Sequence, residues 1–358
     1  MKTGLTLSQM AAELQRREDQ KRDFIADTRQ IEVVSPATEG AVPTVALDLG
    51  GAGRSVFSEG EIFREQAMTH FKVPREYGER IRANHPNLYA ETFNTFLRGE
   101  PARRMVRTLD GTARAFLSDR FRPLDNFDLA NAVLPELMSF PDIRIESSQF
   151  TERRFFLKAV FPRVQAEVRK GDVVQIGLSI SNSEVGAGSL QVNPLVFRLV
   201  CLNGMIAEDY GQRRYHVGKR AAVEDSAYEL YTDKTRRLDD AAFFAKVRDT
   251  VKGVLTQDVL GKLVQRLRDA TEQRIEATDI PRVVEVTAQR FGYGEATRSG
   301  ILRHLIEGGD LTRYGLMNAV TRQSQDEADY GTATRMEADG SRIIELPRDD
   351  WRAIAEAA

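Results

Sequence analysis

The residues with the most chemical potential in this sequence are basic and aromatic. Arg153-Arg154-Phe155-Phe156-Leu157-Lys158 runs on to Phe161, Arg163 and Arg169-Lys170. In a strand, alternate residues share a face. Arg154, Phe156 and Lys158 would then line one surface, with Arg153, Phe155 and Leu157 on the other. Cations that track phosphates, beside rings that stack on bases at about 1–3 kcal/mol each, are a common means of holding single-stranded nucleic acid. Arg213-Arg214-Tyr215-His216 with Lys219-Arg220 forms a second cluster, and Arg103-Arg104 with Arg107 a third. The competing reading is a solvated sheet face whose arginine stems cover apolar surface. The candidate phosphate contacts are Arg153, Arg154, Lys158, Arg163, Arg213, Arg214, Lys219 and Arg220, with Phe156 and Tyr215 for stacking.

A second candidate is the glycine-rich turn from Asn182 to Ser189. Short polar side chains at Asn182, Ser183 and Ser189 are suited to bonding neighbouring backbone. The functional alternative is a nest of turn amides around Gly186 and Gly188 that holds a phosphate with help from Ser183 and Ser189. Other chemistries lack their residues. Four histidines (His70, His85, His216, His304) are scattered, and one cysteine excludes a disulfide framework and any multi-cysteine metal site. Cys201 lies in an apolar run, where a buried thiol is expected. Gly50-Gly51-Ala52-Gly53-Arg54-Ser55 lacks the lysine of a phosphate-cradling loop and reads as a plain glycine turn. There is no Gly-x-Ser-x-Gly elbow. The expectation is a protein that is not an enzyme, with no catalytic residues, no metal and no cofactor.

Composition sets the frame for these residues. The chain has 358 residues, 41% hydrophobic and 29% charged, which is globular rather than disordered. No apolar run approaches the roughly 18–20 residues that span a bilayer. The first residues (Met1-Lys2-Thr3-Gly4-Leu5) contain no continuous apolar segment of a secretory signal. A soluble, cytoplasmic protein is expected, in the host cytoplasm if phage-encoded. Net charge is −2, yet residues 98–220 hold 19 Lys/Arg against 14 Asp/Glu. That excess permits a nucleic-acid surface in the middle of the chain.

The elements that would position these residues make an α+β fold: a central, mostly antiparallel sheet flanked by N-terminal and C-terminal helical regions. Thr6 and Gln9 have capping-box spacing for a charged helix over 6–30, so residues 1–40 read as a helix or arm. Residues 41–220 form the α+β core. Within it lie a strand near Val42–Leu49, a helical cluster over 59–98, and a hairpin across Asp110-Gly111. Asn126–Phe140 is amphipathic, and Phe155–Val164, Val173–Ser181 and Ser189–Val196 alternate as strands. Residues 221–330 read as helices packed on the core, with Leu255, Val259, Leu260, Leu263, Val264 and Leu267 forming one stripe. Residues 331–358 are polar and read as a loosely ordered tail.

Several segments resemble a known family. Phe116 to Asn126 is similar to its Ser-x-Arg/Lys-Tyr element, and Val173 to Leu190 to its strand–Asn-Ser-His-Asp-Gly-Ser–strand signature. Val196 to Gly204 resembles its Arg-Val-Val-Cys-x-Asn element, and Thr312 to Thr321 its Trp-Gly-x-x-Asn-Ala-Val-Thr element. Val73 to Tyr77 and Pro86 to Leu88 fit its N-terminal helical part. This is the phage- and plasmid-borne family labelled as a domain of unknown function, number 932, and the resemblance spans roughly residues 45–330. The family's His-Asp after Asn-Ser is Glu184-Val185 here, and its Tyr-x-x-His after the last element is missing. The resemblance implies a mobile-element context. With the basic strands, it gives the expectation of a DNA-metabolism protein that binds single-stranded DNA as a homo-oligomer and anneals strands in recombination. The alternative is a protein-binding module, an anti-host or assembly factor that docks a host protein through the N-terminal helix and the acidic C-terminal region.

Overall fold

Two sheets organise the chain where one was expected. The computed structural model describes residues 1–38, 40–208, 212–214 and 233–357. The first half runs α1 (Leu7–Gln20), β1 (Arg22–Asp27), β2 (Ile31–Val34), β3 (Thr44–Asp48), β4 (Arg54–Glu59), α2 (Glu61–His70), α3 (Arg75–Asn84), α4 (Pro86–Gly99), β5 (Arg103–Leu109), β6 (Thr112–Ser118) and α5 (Asn126–Met138). The second half runs β7 (Arg144–Phe150), β8 (Phe155–Arg169), β9 (Asp172–Asn182), β10 (Leu190–Arg198), β11 (Asn203–Ile206), β12 (Gln212–Arg214), α6 (Asp233–Val254), α7 (Gln257–Thr271), α8 (Ile280–Phe291), α9 (Glu295–Gly308), α10 (Arg313–Gln323), α11 (Tyr330–Glu345) and α12 (Arg348–Ala355).

The first sheet has the order β1-β5-β6-β4-β3-β2. Asp110 and Gly111 both have positive φ, the geometry that a tight β5–β6 hairpin requires. Phe63, Met68, Phe71, Tyr89 and Phe93 of the flanking helices pack on Val45, Leu47, Val106 and Phe116. The second sheet has the order β11-β10-β9-β8-β7, and β12 pairs with β10 beside β11. Its apolar face (Phe155, Leu157, Ala159, Phe161, Ile176, Leu178, Ile180) joins Val133 and Leu137 of α5, Val247 and Val251 of α6, and the α7 stripe in the main core.

The ends of the chain differ from expectation. The helix over 6–30 stops at Gln20, where Lys21 is extended, and the charged stretch after it becomes edge strand β1 on β5. The capping box of Thr6 and Gln9 is present, but Met10 and Leu14 are buried, so this segment is part of the fold rather than a projecting arm. At the other end, 331–358 is no loose tail. Met336, Ile343, Trp351 and Ile354 enter the core, and the buried Arg313 guanidinium donates to Ile343 O at 2.6 Å and Leu346 O at 2.7 Å. Polar composition concealed this because the inward side of α11 is itself partly polar.

Buried arginines link the first sheet to the β9–β10 turn of the second, and Arg107 is the deepest of them. Arg107 on β5 is 0% exposed. It donates to Asp23 at 2.8 and 2.9 Å, to Asp125 at 2.7 Å and to Glu184 O at 2.8 Å. Lys21 also pairs with Asp125. Glu184, on the β9–β10 turn, accepts from Arg114 at 2.7 Å and from the Asn126 backbone N–H at 2.8 Å, where it caps α5 from outside the helix. Removing one partner of a buried charge set leaves the others uncompensated at about 3–5 kcal/mol. Arg107→Met is therefore expected to lower unfolding free energy by that amount in urea titrations, and a loss below ~1 kcal/mol would contradict this role. Burial alone would raise the Asp125 carboxyl, but the Arg107 charge and the Lys21 bond outweigh it and hold it below its ordinary 3.8. Its contribution is thus complete above that value and is lost as pH falls through its lower, folded-state value. Asp125→Asn should flatten the acid limb of the stability curve below about pH 4, with an unchanged limb as the contrary result.

Candidate nucleic-acid interface

The alternation read from the sequence assigns the faces of β8 correctly. Phe156 and Lys158 share the face opposite Phe155 and Leu157, and the Arg154 guanidinium lies over the Phe156 ring at 5.9 Å. That face, however, is not a surface. Lys158 is 0% exposed and Phe156 3%. Lys158 pairs with Glu337 of α11 and donates to Thr334 at 3.1 Å, while the Phe156 ring packs on Tyr330 at 5.2 Å. Both are corrected from solvent-facing contacts to residues under a helix, because α11, which was read as tail, covers them. Burial raises the Tyr330 phenol above its ordinary range, against the opposing pull of the Lys158 charge.

At the rim of this face several candidates do converge. Arg153 is 47% exposed, with an ion pair to Glu65 at 2.6 Å. Arg154, half-buried, donates to Ser181 Oγ and Ser189 O, each at 2.9 Å. Gly188 makes room for it: a Cβ there would lie 2.5 Å from Arg154 Nη1. Ser183 donates to Arg153 O at 2.7 Å and accepts from Ala187 N–H at 2.9 Å, so its hydroxyl fastens the 151–154 loop to the 183–189 turn. Asn182 donates to Leu124 O and Asn126 Oδ1. Gly186 has φ +73 and lies against Leu117. β12 completes the rim, with Arg213 opposite Gln191 and Arg214 opposite Leu190 in the backbone register.

Other candidates lie elsewhere. Arg163 is exposed farther along β8 and pairs with Asp142 at 2.7 Å, within the irregular stretch between Phe161 and Gln165. Arg107 is the buried junction, and Arg104 lies over the Phe116 ring at 4.6 Å. Tyr215, Lys219 and Arg220 fall outside the described residues, as do the side chains of Arg213 and Arg214. Cys201 is half-exposed in the β10–β11 turn, where Arg198 donates to its Sγ at 3.4 Å, so the expectation of a buried thiol is corrected. An apolar run ending in a turn leaves its last members outside.

Motifs far apart in sequence meet in two pairs. The 116–126 element meets the 182–189 turn through Asn182, Glu184 and the Phe121–Val185 packing. The 196–204 element meets 312–321: Asn203 donates to Asn318 at 3.2 Å and to Thr321 at 2.6 Å, and Arg198 and Tyr314 both bond Asp172. Glu184 was noted in the sequence only as a departure from the family signature, and Asp23, Asp125 and Glu337 were given no role. Each is an isolated acid whose buried partner lies 58 or more residues away or in a separate element, so no local spacing signals it.

A family model described as Domain of unknown function (DUF932) matches residues 115–343, and the chain belongs to that family. No curated protein and no solved structure matches it.

The rim geometry gives a stability test. Gly186→Ala, at a φ of +73 against buried Leu117, should cost about 1–3 kcal/mol, and Ser183→Ala about 1–2 kcal/mol through its two lost bonds. Thermal melting reads both, and an unchanged midpoint in both variants would contradict a turn fastened in this way.

Proposed function

We propose that this member of the DUF932 family binds single-stranded DNA through the rim of its second sheet. The observation that carries the reading is convergence: the 151–154 loop with two arginines, the glycine-rich 183–189 turn, and the strand bearing Arg213 and Arg214 share one end of β8, β9 and β10. The exposed guanidinium of Arg153 and the two arginines in the sequence of β12 are the cations this reading calls on, and the chain is net positive across 98–220. Phe156 does not stack on a base while it lies beneath Tyr330, so contacts in this state are to phosphates and carry little sequence preference. Such binding suits a mobile-element protein that handles and anneals exposed strands as an oligomer.

Fluorescence anisotropy of a labelled oligothymidylate, titrated with salt, tests the reading. Each phosphate contact on a single strand contributes a slope of about −0.7 in log affinity against log salt. Charge reversal at Arg213 and Arg214 should weaken binding and flatten that slope by roughly 1.4. Arg153→Glu should act in the same direction. Unchanged affinity in these variants would remove the rim as the interface, and no binding by the unmodified protein at low salt would remove the function.

A further inference from the structure

The face beneath α11 has the wrong chemistry for a buried face. Across β7, β8, β9 and β10, facing residues form two rows, Gln149–Phe156–Ser181–Gln191 and Ser147–Lys158–Ser179–Asn193. Phe156 is the one apolar member. On the other side of the same strands stand Phe155, Leu157, Ile180 and Val192, as a packed face requires. The next row on the α11 side is apolar too, with Val160 and Leu195 against Ala338. The polar patch is therefore local, and it abuts the rim that carries Arg154.

The cover over that patch is equally specific. Tyr330, Thr334 and Glu337 follow one another at helical spacing on α11. Tyr330 lays its ring against Phe156 and shares a hydrogen bond with Ser147, and Thr334 and Glu337 take the Lys158 ammonium. Lys158 and Glu337 are both 0% exposed, and Glu337 Oε1 has no hydrogen-bond partner among the described residues. A buried ion pair is often no more stabilising than apolar residues of like volume, so stability alone does not account for it. A ring on Phe156 and an anion on Lys158 are the two contacts that a nucleotide makes with its base and its phosphate.

We propose that the two polar rows are a strand-binding platform and that α11 occupies it as an internal stand-in for the ligand, so that single-stranded DNA and α11 compete for Phe156 and Lys158. The proposal rests on the DNA reading above and deepens it: the rim captures a strand, and displacement of α11 then admits bases to Phe156. Binding at the platform is weakened by whatever holds α11 down.

Two measurements on the full chain decide it. Anisotropy with labelled oligothymidylate at low salt compares the unmodified protein with Glu337→Gln and with Glu337→Gln/Lys158→Gln. Hydrogen exchange follows the Tyr330–Glu345 amides of the unmodified protein with and without the same oligonucleotide, so the result does not depend on a variant folding. The expected outcome is roughly tenfold tighter binding by Glu337→Gln, within the usual range of coupling. That gain should vanish in the double variant, and the oligonucleotide should speed exchange in α11. Binding that leaves α11 exchange unchanged or slower, with no gain in Glu337→Gln, overturns the competition and leaves the rim reading intact. No binding by any of the three proteins overturns both.

Discussion

A single buried guanidinium governs how the rest of this molecule is arranged. Arg107 leaves β5 of the first sheet and ends among Asp23, Asp125 and the backbone carbonyl of Glu184. Each contact belongs to a different part of the chain: the strand after α1, the residue before α5, and the turn between β9 and β10. An unpaired charge at that depth is prohibitively costly, so all three must be in place when the fold is complete. The turn so held carries Ser183 and Gly188, which in turn set the 151–154 loop and seat Arg154. The geometry of the rim follows from the joint between the sheets.

The joint also engages Glu184. The Glu184 carboxylate, in the segment that resembles the family's Asn-Ser-His-Asp signature, answers Arg114 and the free N–H at the start of α5. A carboxylate suits a helix N-terminus beside an arginine. In this chain the Glu184 side chain is engaged in these structural bonds.

Much of the architecture was legible in the sequence where structure is local. The Asp110-Gly111 hairpin, the Thr6–Gln9 cap, the α7 stripe and the two-residue period of β8, β9 and β10 rest on turn chemistry and burial periodicity, which neighbours in sequence determine. The division into two sheets was hidden because strand pairing is set by partners far apart in the chain: β1 joins β5, with Arg22 opposite Thr108, and β6 pairs with β4 rather than with any strand after it. Period two placed Arg154, Phe156 and Lys158 on one face, but it carries no information about what lies on that face. The answer sat in α11, whose inward Thr334 and Glu337 fall in the stretch read as a polar tail, with Tyr330 at its boundary. The rim was half legible: Arg153, Arg154 and the turn stood out as residues, whereas their meeting with β12 is a matter of register.

The central claim is that a nucleic-acid strand lies across the end of the second sheet. Photo-crosslinking of a bromouridine-substituted single strand, followed by peptide mapping, reads this directly. The account predicts adducts in the peptides containing residues 151–156, 183–191 and 212–214. Adducts confined to the first sheet and its helices α2 to α4, or none under conditions of saturating strand, would contradict it.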